Sequence, residues 1–245
     1  MHLIQIIRSY LGTTQKELAE LAGISQADLC EMEIKTPYGR IEKYQRLSEY
    51  LGIPVHALVT NDCTMVPLSF FDKHPGAPYT ECVAGGAVGL GRKGEEAAYL
   101  HEVEKLRDIY PALSKLVLPH YKLQNRPGYD ILSFDEFGKP IYIEVKTTLD
   151  NDMDFALTKQ EFQKAQKMIL AGEDYFIYRY FNWGKKNQRL EIFDFKELQK
   201  EYEVLPATYW LNKKLDSVSS GIRHCREKRG MSKGDLSCEN GRVIQ

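Results

Sequence analysis

Gly128-Tyr129-Asp130-Ile131-Leu132-Ser133-Phe134-Asp135-Glu136-Phe137-Gly138-Lys139-Pro140-Ile141-Tyr142-Ile143-Glu144-Val145-Lys146-Thr147-Thr148 holds two β-prone runs around a polar break that contains a glycine. This pattern predicts a β-hairpin, with strands over Tyr129 to Phe134 and Pro140 to Thr147 and a turn over Asp135 to Lys139. Side chains alternate faces along a strand, so Ile141, Ile143 and Val145 point toward a core and Tyr142, Glu144 and Lys146 point away from it. With Asp135 to Lys139 as the loop, Phe134 pairs with Pro140 and Asp130 falls opposite Glu144. Directly opposed side chains lie roughly 5 Å apart. Two carboxylates and an ammonium then share one patch. Oxygen ligands of net negative charge suit a hard cation, Mg²⁺ or Mn²⁺. A strand apolar on one face and charged on the other is also what any half-exposed strand looks like, so the remainder of the chain has to decide between site and scaffold.

The chain has 245 residues, 43% hydrophobic and 27% charged, ordinary values for a globular protein of one large domain or two modest ones. No apolar run is long enough to cross a bilayer. Met1-His2-Leu3-Ile4-Gln5 lacks the basic and long apolar regions of a signal peptide. The five cysteines are scattered, with no zinc-finger spacing and no CxxC, and are read as reduced thiols in a cytoplasmic protein. A net charge of −1 supplies no global attraction to nucleic acid, so any DNA contact comes from local patches.

Residues 1–60 read as short helices with tight connections. In Gln15-Lys16-Glu17-Leu18-Ala19-Glu20-Leu21-Ala22-Gly23-Ile24-Ser25-Gln26-Ala27-Asp28-Leu29-Cys30-Glu31-Met32-Glu33, the side chains of Leu18, Ala22, Leu29 and Met32 can bury together. Gly23 permits the positive φ of a tight helix-to-helix turn, and Ser25 is a natural cap for the next helix. Further helices are expected at Arg40 to Leu51 and Val55 to Val59. This stretch resembles the helix-turn-helix of the Cro and lambda-repressor-like family. The resemblance implies that Gln15 touches a phosphate and that Ser25, Gln26 and Asp28 face the major groove of double-stranded DNA, with Gln26 suited to reading adenine. It also implies a homodimer on paired half-sites. Six cations against seven anions in this module make a weak electrostatic footprint for DNA, and a helical domain for dimerisation or partner docking is the alternative.

Residues 61–93, with three prolines and a glycine cluster, read as a linker partly packed through Phe70, Phe71 and Tyr79. A domain over 94–210 follows. Its first helix opens at Gly94 with Glu95 in the first turn, near the partial positive charge of the helix end. Leu113 to Leu123 reads as either a strand or a short helix. After the hairpin come the acidic loop Asp150 to Asp154, a helix from Thr158 to about Leu170, and strands over 175–181 and 189–195. The fold class is therefore an all-helical domain followed by a mixed α/β domain, its sheet partly covered by helices.

The order Gly94-Glu95 on a helix, then Gly128-Tyr129-Asp130-Ile131, then Ile143-Glu144-Val145-Lys146-Thr147-Thr148 resembles the PD-(D/E)XK restriction-endonuclease-like superfamily. More narrowly, it is similar to the nuclease-like module at the C-terminus of plant NO VEIN proteins and in bacterial defence proteins. The resemblance implies a metal-dependent phosphodiesterase site of Glu95, Asp130, Glu144 and Lys146, with Mg²⁺ (or Mn²⁺) held by Asp130, Glu144 and Glu95. Glu96 takes the helix position if the register shifts by one, and Glu161 matches a further polar position of the narrower family. Lys146 would orient or deprotonate the attacking water, or neutralise developing charge. The basic tail, 211–245, carries eight cations against four anions, and residues 221–237 look like either a truncated second helix-turn-helix or a chance likeness. Together these features predict a Mg²⁺-dependent DNA endonuclease of the restriction or phage-defence type, targeted by its helix-turn-helix. A non-catalytic DNA-binding regulator with a degenerate nuclease fold is the alternative.

Overall fold

A computed structural model describes residues 1–34, 41–76, 89–119, 128–205, 210–213, 238–239 and 242–243. Residues Met1–Asn212 form one compact unit and Lys213–Gln245 a second. In the second, β9 (Cys238–Glu239) pairs antiparallel with β10 (Arg242–Val243), while the repressor-like stretch 221–237 lies outside the described residues.

The first unit begins with helices whose ends are written in local chemistry. α1 (Leu3–Leu11) starts on a His2/Gln5 capping box and stops at Gly12, which takes the left-handed conformation at φ +67°. α2 (Gln15–Leu21) starts on a Thr14/Glu17 capping box. It turns through Gly23 (φ +66°) into α3 (Gln26–Ile34), where the Ser25 hydroxyl accepts the amide of Asp28 at 3.1 Å. Leu18, Ala22, Leu29 and Met32 are buried together as expected, beside Tyr44 and Leu47 of α4 (Ile41–Leu51) and Leu58 of α5 (Val55–Thr60). The segment read as linker carries a 3-10 turn (Cys63–Met65) and α6 (Leu68–Lys73). Phe70 and Phe71 are buried there against Tyr10, while Tyr79 lies outside the described residues.

α7 runs Leu90–Arg107, four residues earlier than the sequence suggested. Gly91, read as linker, and Gly94, read as the helix start, both lie inside the helix, so Glu95 sits in the second turn and not the first. Gly94 allows the contact that fixes this helix: a β-carbon at that position would overlap the Thr147 hydroxyl and lie 3.1 Å from Thr147 Cβ. The undecided segment 113–123 contains both alternatives, with α8 (Pro111–Lys115) followed by β1 (Leu118–Pro119); residues 120–127 lie outside the described residues.

The main sheet has five strands in the order β1-β2-β3-β5-β6, with β2 at Ile131–Phe134, β3 at Pro140–Thr147, β5 at Asp174–Phe181 and β6 at Arg189–Asp194. β3 is antiparallel to β2 and parallel to β5; β6 returns antiparallel. α9 (Lys159–Leu170) and α10 (Phe195–Glu201) complete this α+β body. A smaller sheet, β4-β8-β7, pairs β4 (Phe155–Ala156), just after the acidic loop, with β8 (Trp210–Lys213), beside β7 (Tyr202–Leu205). β3 is not half-exposed. Every residue from Pro140 to Val145 is buried, because a central strand has neighbours on both edges and packed layers on both faces. No helix among the described residues is long and apolar enough to cross a membrane.

Candidate active site

The hairpin takes the predicted register. Phe134 pairs with Pro140, and Ile131 with Ile143. One position further, the Asp130 amide donates to the Ile143 carbonyl at 2.8 Å, and the Val145 amide donates to Asp130 Oδ2 at 2.8 Å. Asp130 therefore lies beside Glu144, its carboxylate anchored on the backbone of the strand that carries its partner. The turn holds this register in place: Asp135 Oδ1 accepts the amides of Phe137 and Lys139, and Gly138 takes φ +78°.

Lys146 stands two residues beyond Glu144 on the same strand face. Its ammonium donates to Glu144 Oε1 at 2.7 Å and to Glu161 Oε2 at 2.8 Å. Glu161 is held from its own side by a capping box at the start of α9: its carboxylate accepts the Thr158 amide at 2.9 Å, and its own amide donates to Thr158 Oγ1 at 3.2 Å. Glu161, left with an uncertain purpose by its sequence, thus joins the cluster through Lys146.

Three carboxylates around one ammonium leave the cluster short of positive charge. Burial pushes Asp130 up to about 6; the Val145 amide opposes this, while Glu95 adds to it. Glu144, only 3% exposed, is driven well above the usual carboxylate range by burial and by Asp130, with Lys146 offsetting part of the effect. Burial pulls Lys146 down, but Glu144 and Glu161 outweigh it and hold the ammonium above its ordinary value. Glu161 is pushed up by burial and brought below its ordinary value by Lys146.

Of the two helix glutamates, Glu95 is partly buried and near enough to Asp130 to disfavour its charge, whereas Glu96 is exposed. Even so, among the described residues no three His, Cys, Asp or Glu side chains are grouped closely enough to hold a metal ion. The pair Asp130 and Glu144 fits a hard cation in donor type and in charge demand, and Glu95 is the nearby carboxylate that does not complete a cage.

Arg179 is the charged residue whose place the sequence did not reveal. It lies on β5 in register with Lys146 on β3 and is 3% exposed, with its guanidinium between the rings of Phe155 and Phe181. It donates to the carbonyls of Asp152 and Asp154, the latter at 2.8 Å, which ties the acidic loop against the sheet. A lone arginine inside an aromatic strand was the available signal.

In the helical module, Ser25 and Gln26 are exposed at the start of α3. The Ser25 hydroxyl donates to Asp28 Oδ2 at 2.6 Å, and Lys43 pairs with the same carboxylate, so Asp28 is held at the foot of α3. Gln15 donates to Glu33 Oε2 at 2.7 Å, and Arg8 Nε donates to Glu33 Oε1 at 2.7 Å. Glu33 is buried, so Arg8 and Gln15 satisfy a carboxylate that water does not reach.

Residues 94–193 match the family model described as Protein NO VEIN, C-terminal. Over 107 residues the chain is 38% identical to Protein NO VEIN of Arabidopsis thaliana, an overlap that covers 42% of this chain and 3% of that protein. The chain thus spans a small fraction of that relative, and the family match covers the segment from Gly94 through the hairpin and α9 into β6.

Proposed function

We propose that the chain is a Mg²⁺-dependent DNA endonuclease, with the α/β region cutting the phosphodiester and the helical module selecting the DNA. The observation that carries this reading is the hairpin register, which sets Asp130 beside Glu144 with Lys146 on the same strand face. Asp130 and Glu144 would hold the cation, which when bound acidifies water and stabilises charge on the scissile phosphate. Val145 fixes the Asp130 carboxylate through its amide. Lys146, whose proton is held above its ordinary value, serves as a charge-neutralising and orienting group rather than as a base. Glu161 keeps the ammonium in place. The bond is cut by water directly, with no covalent enzyme intermediate. In the helical module, α2 and α3 act as a helix-turn-helix: Ser25 and Gln26, both exposed, would face the groove and Gln15 would lie by a phosphate.

Incubation with plasmid and Mg²⁺, beside Asp130→Ala and Lys146→Ala, tests this: cleavage by the native chain and its loss in both variants is expected. Failure to cut across varied DNAs, modified bases included, refutes it. A second reading has its own observation. Lys146 already supplies positive charge to Glu144 and Glu161, and no three-ligand group is formed among the described residues. This favours a non-catalytic DNA-binding regulator built on the same fold. Mn²⁺ that neither binds nor raises the melting temperature would decide for it.

A further inference from the structure

We infer that the DNA-selecting helices and the carboxylate site are held at one fixed separation by a packed seam, so that a cut falls at a constant offset from the sequence recognised. The offset rests on the endonuclease reading above; the fixed separation does not.

The seam grips the very hairpin that carries Asp130 and Glu144. At the hairpin tip, a β-carbon on Gly138 would overlap the Thr64 methyl and lie 3.4 Å from Leu113 Cδ1, so the turn packs directly on the 3-10 turn that follows the helical module. Thr64 is not a loose surface group. Its amide and hydroxyl both donate to Asp62 Oδ1, at 2.9 and 2.6 Å, and the preceding Asn61 side chain accepts the Leu3 amide, tying the turn to α1. On β3, the Tyr142 hydroxyl accepts from the Met1 amino group at 2.6 Å, two residues before Glu144. That amino group also pairs with Glu173 at 3.1 Å. Lys115 of α8 lies 5.3 Å over the ring of Phe71 in α6. One hydrophobic core runs from Leu3 and Leu58 through Cys63 and Leu113 to Tyr142. Modules joined only by a chain move by default; those sharing a close-packed core do not slide continuously.

The test separates seam from connection. About ten Gly/Ser residues are inserted between Thr80 and Glu81, enough to give a flexible connection. Spin labels are placed at exposed Gln45 and Lys186 through a non-canonical amino acid, leaving the cysteines untouched. The expected result is a single narrow distance distribution, unchanged by the insertion, and one cut offset shared by both chains. Thr64→Arg in the lengthened chain should broaden both. A distribution that broadens on insertion alone overturns the inference, as do cuts that scatter while the distance stays fixed. An unchanged distance with no cleavage of any DNA supports the fixed separation and sinks only the endonuclease reading.

Discussion

Asp130→Asn removes one charge from the cluster while keeping an oxygen that can accept the Val145 amide. In the folded chain this carboxyl titrates near 6 instead of 3.8, so its ionised form is disfavoured by about 2 pH units, or about 3 kcal/mol. Because the folded value lies above the unfolded one, the protonated carboxyl contributes stability that is complete below about 3.8 and lost as pH rises through about 6. The asparagine variant has no such loss. Relief of Glu144, whose charge is opposed by burial and then by Asp130, acts in the same direction. Urea unfolding of the native and variant chains from pH 4 to 8 should therefore give a difference near zero at the acid end. It should grow to about 1–3 kcal/mol in favour of the variant at neutral pH, while cleavage and Mn²⁺ binding are lost. Such a pattern marks a site built at the expense of stability. A variant less stable than the native chain at pH 8, or a difference that does not change with pH, would refute the charge-shortage account of the cluster.

Gly94→Ala should destabilise: overpacking against Thr147 costs about 1–3 kcal/mol, against about 1 kcal/mol gained in helix propensity. Because the collision is with the Thr147 side chain, adding Thr147→Ala should recover most of the loss in a double-mutant cycle; independent, additive effects would count against the contact. Arg8→Met leaves the Glu33 carboxylate buried with Gln15 and should cost about 3 kcal/mol in urea unfolding. A cost below about 1 kcal/mol would mean that Glu33 is not held as an ion pair.

The hairpin register was legible because it is set locally. Turn length, the glycine at the one left-handed position and the aspartate that caps the turn's amides all lie within a few residues of each other. The starts of α3 and α9 were legible for the same reason, since Ser25 and Thr158 act on amides three positions away. What the sequence hid depends on distant partners. Gly91 reads as part of the linker and Gly94 as the helix start until β3 is placed beside Gly94, when its missing side chain becomes the reason α7 can approach. The burial of Glu144 follows from strands and helices far along the chain, and a period-two pattern cannot distinguish a covered polar face from a wet one. The acidic stretch Asp150 to Asp154 is a loop as read, but the short strand just after it was hidden, because Phe155 and Ala156 pair with Leu211 and Trp210 over fifty residues on. The link from Lys146 to Glu161 likewise bridges two elements whose separate patterns are commonplace.

The central place of β3 also bears on how the site is kept in order. A strand hydrogen-bonded along both edges and covered on both faces can release its amides to solvent only when the surrounding layers come apart. Hydrogen exchange at Tyr142 to Val145 should accordingly be among the slowest in the chain and follow global unfolding rather than local opening. Chain ends fray and loops breathe without disturbing Glu144. Glu144 thus belongs to the last part of the molecule to let go, and its place on β3 should persist for as long as the fold does.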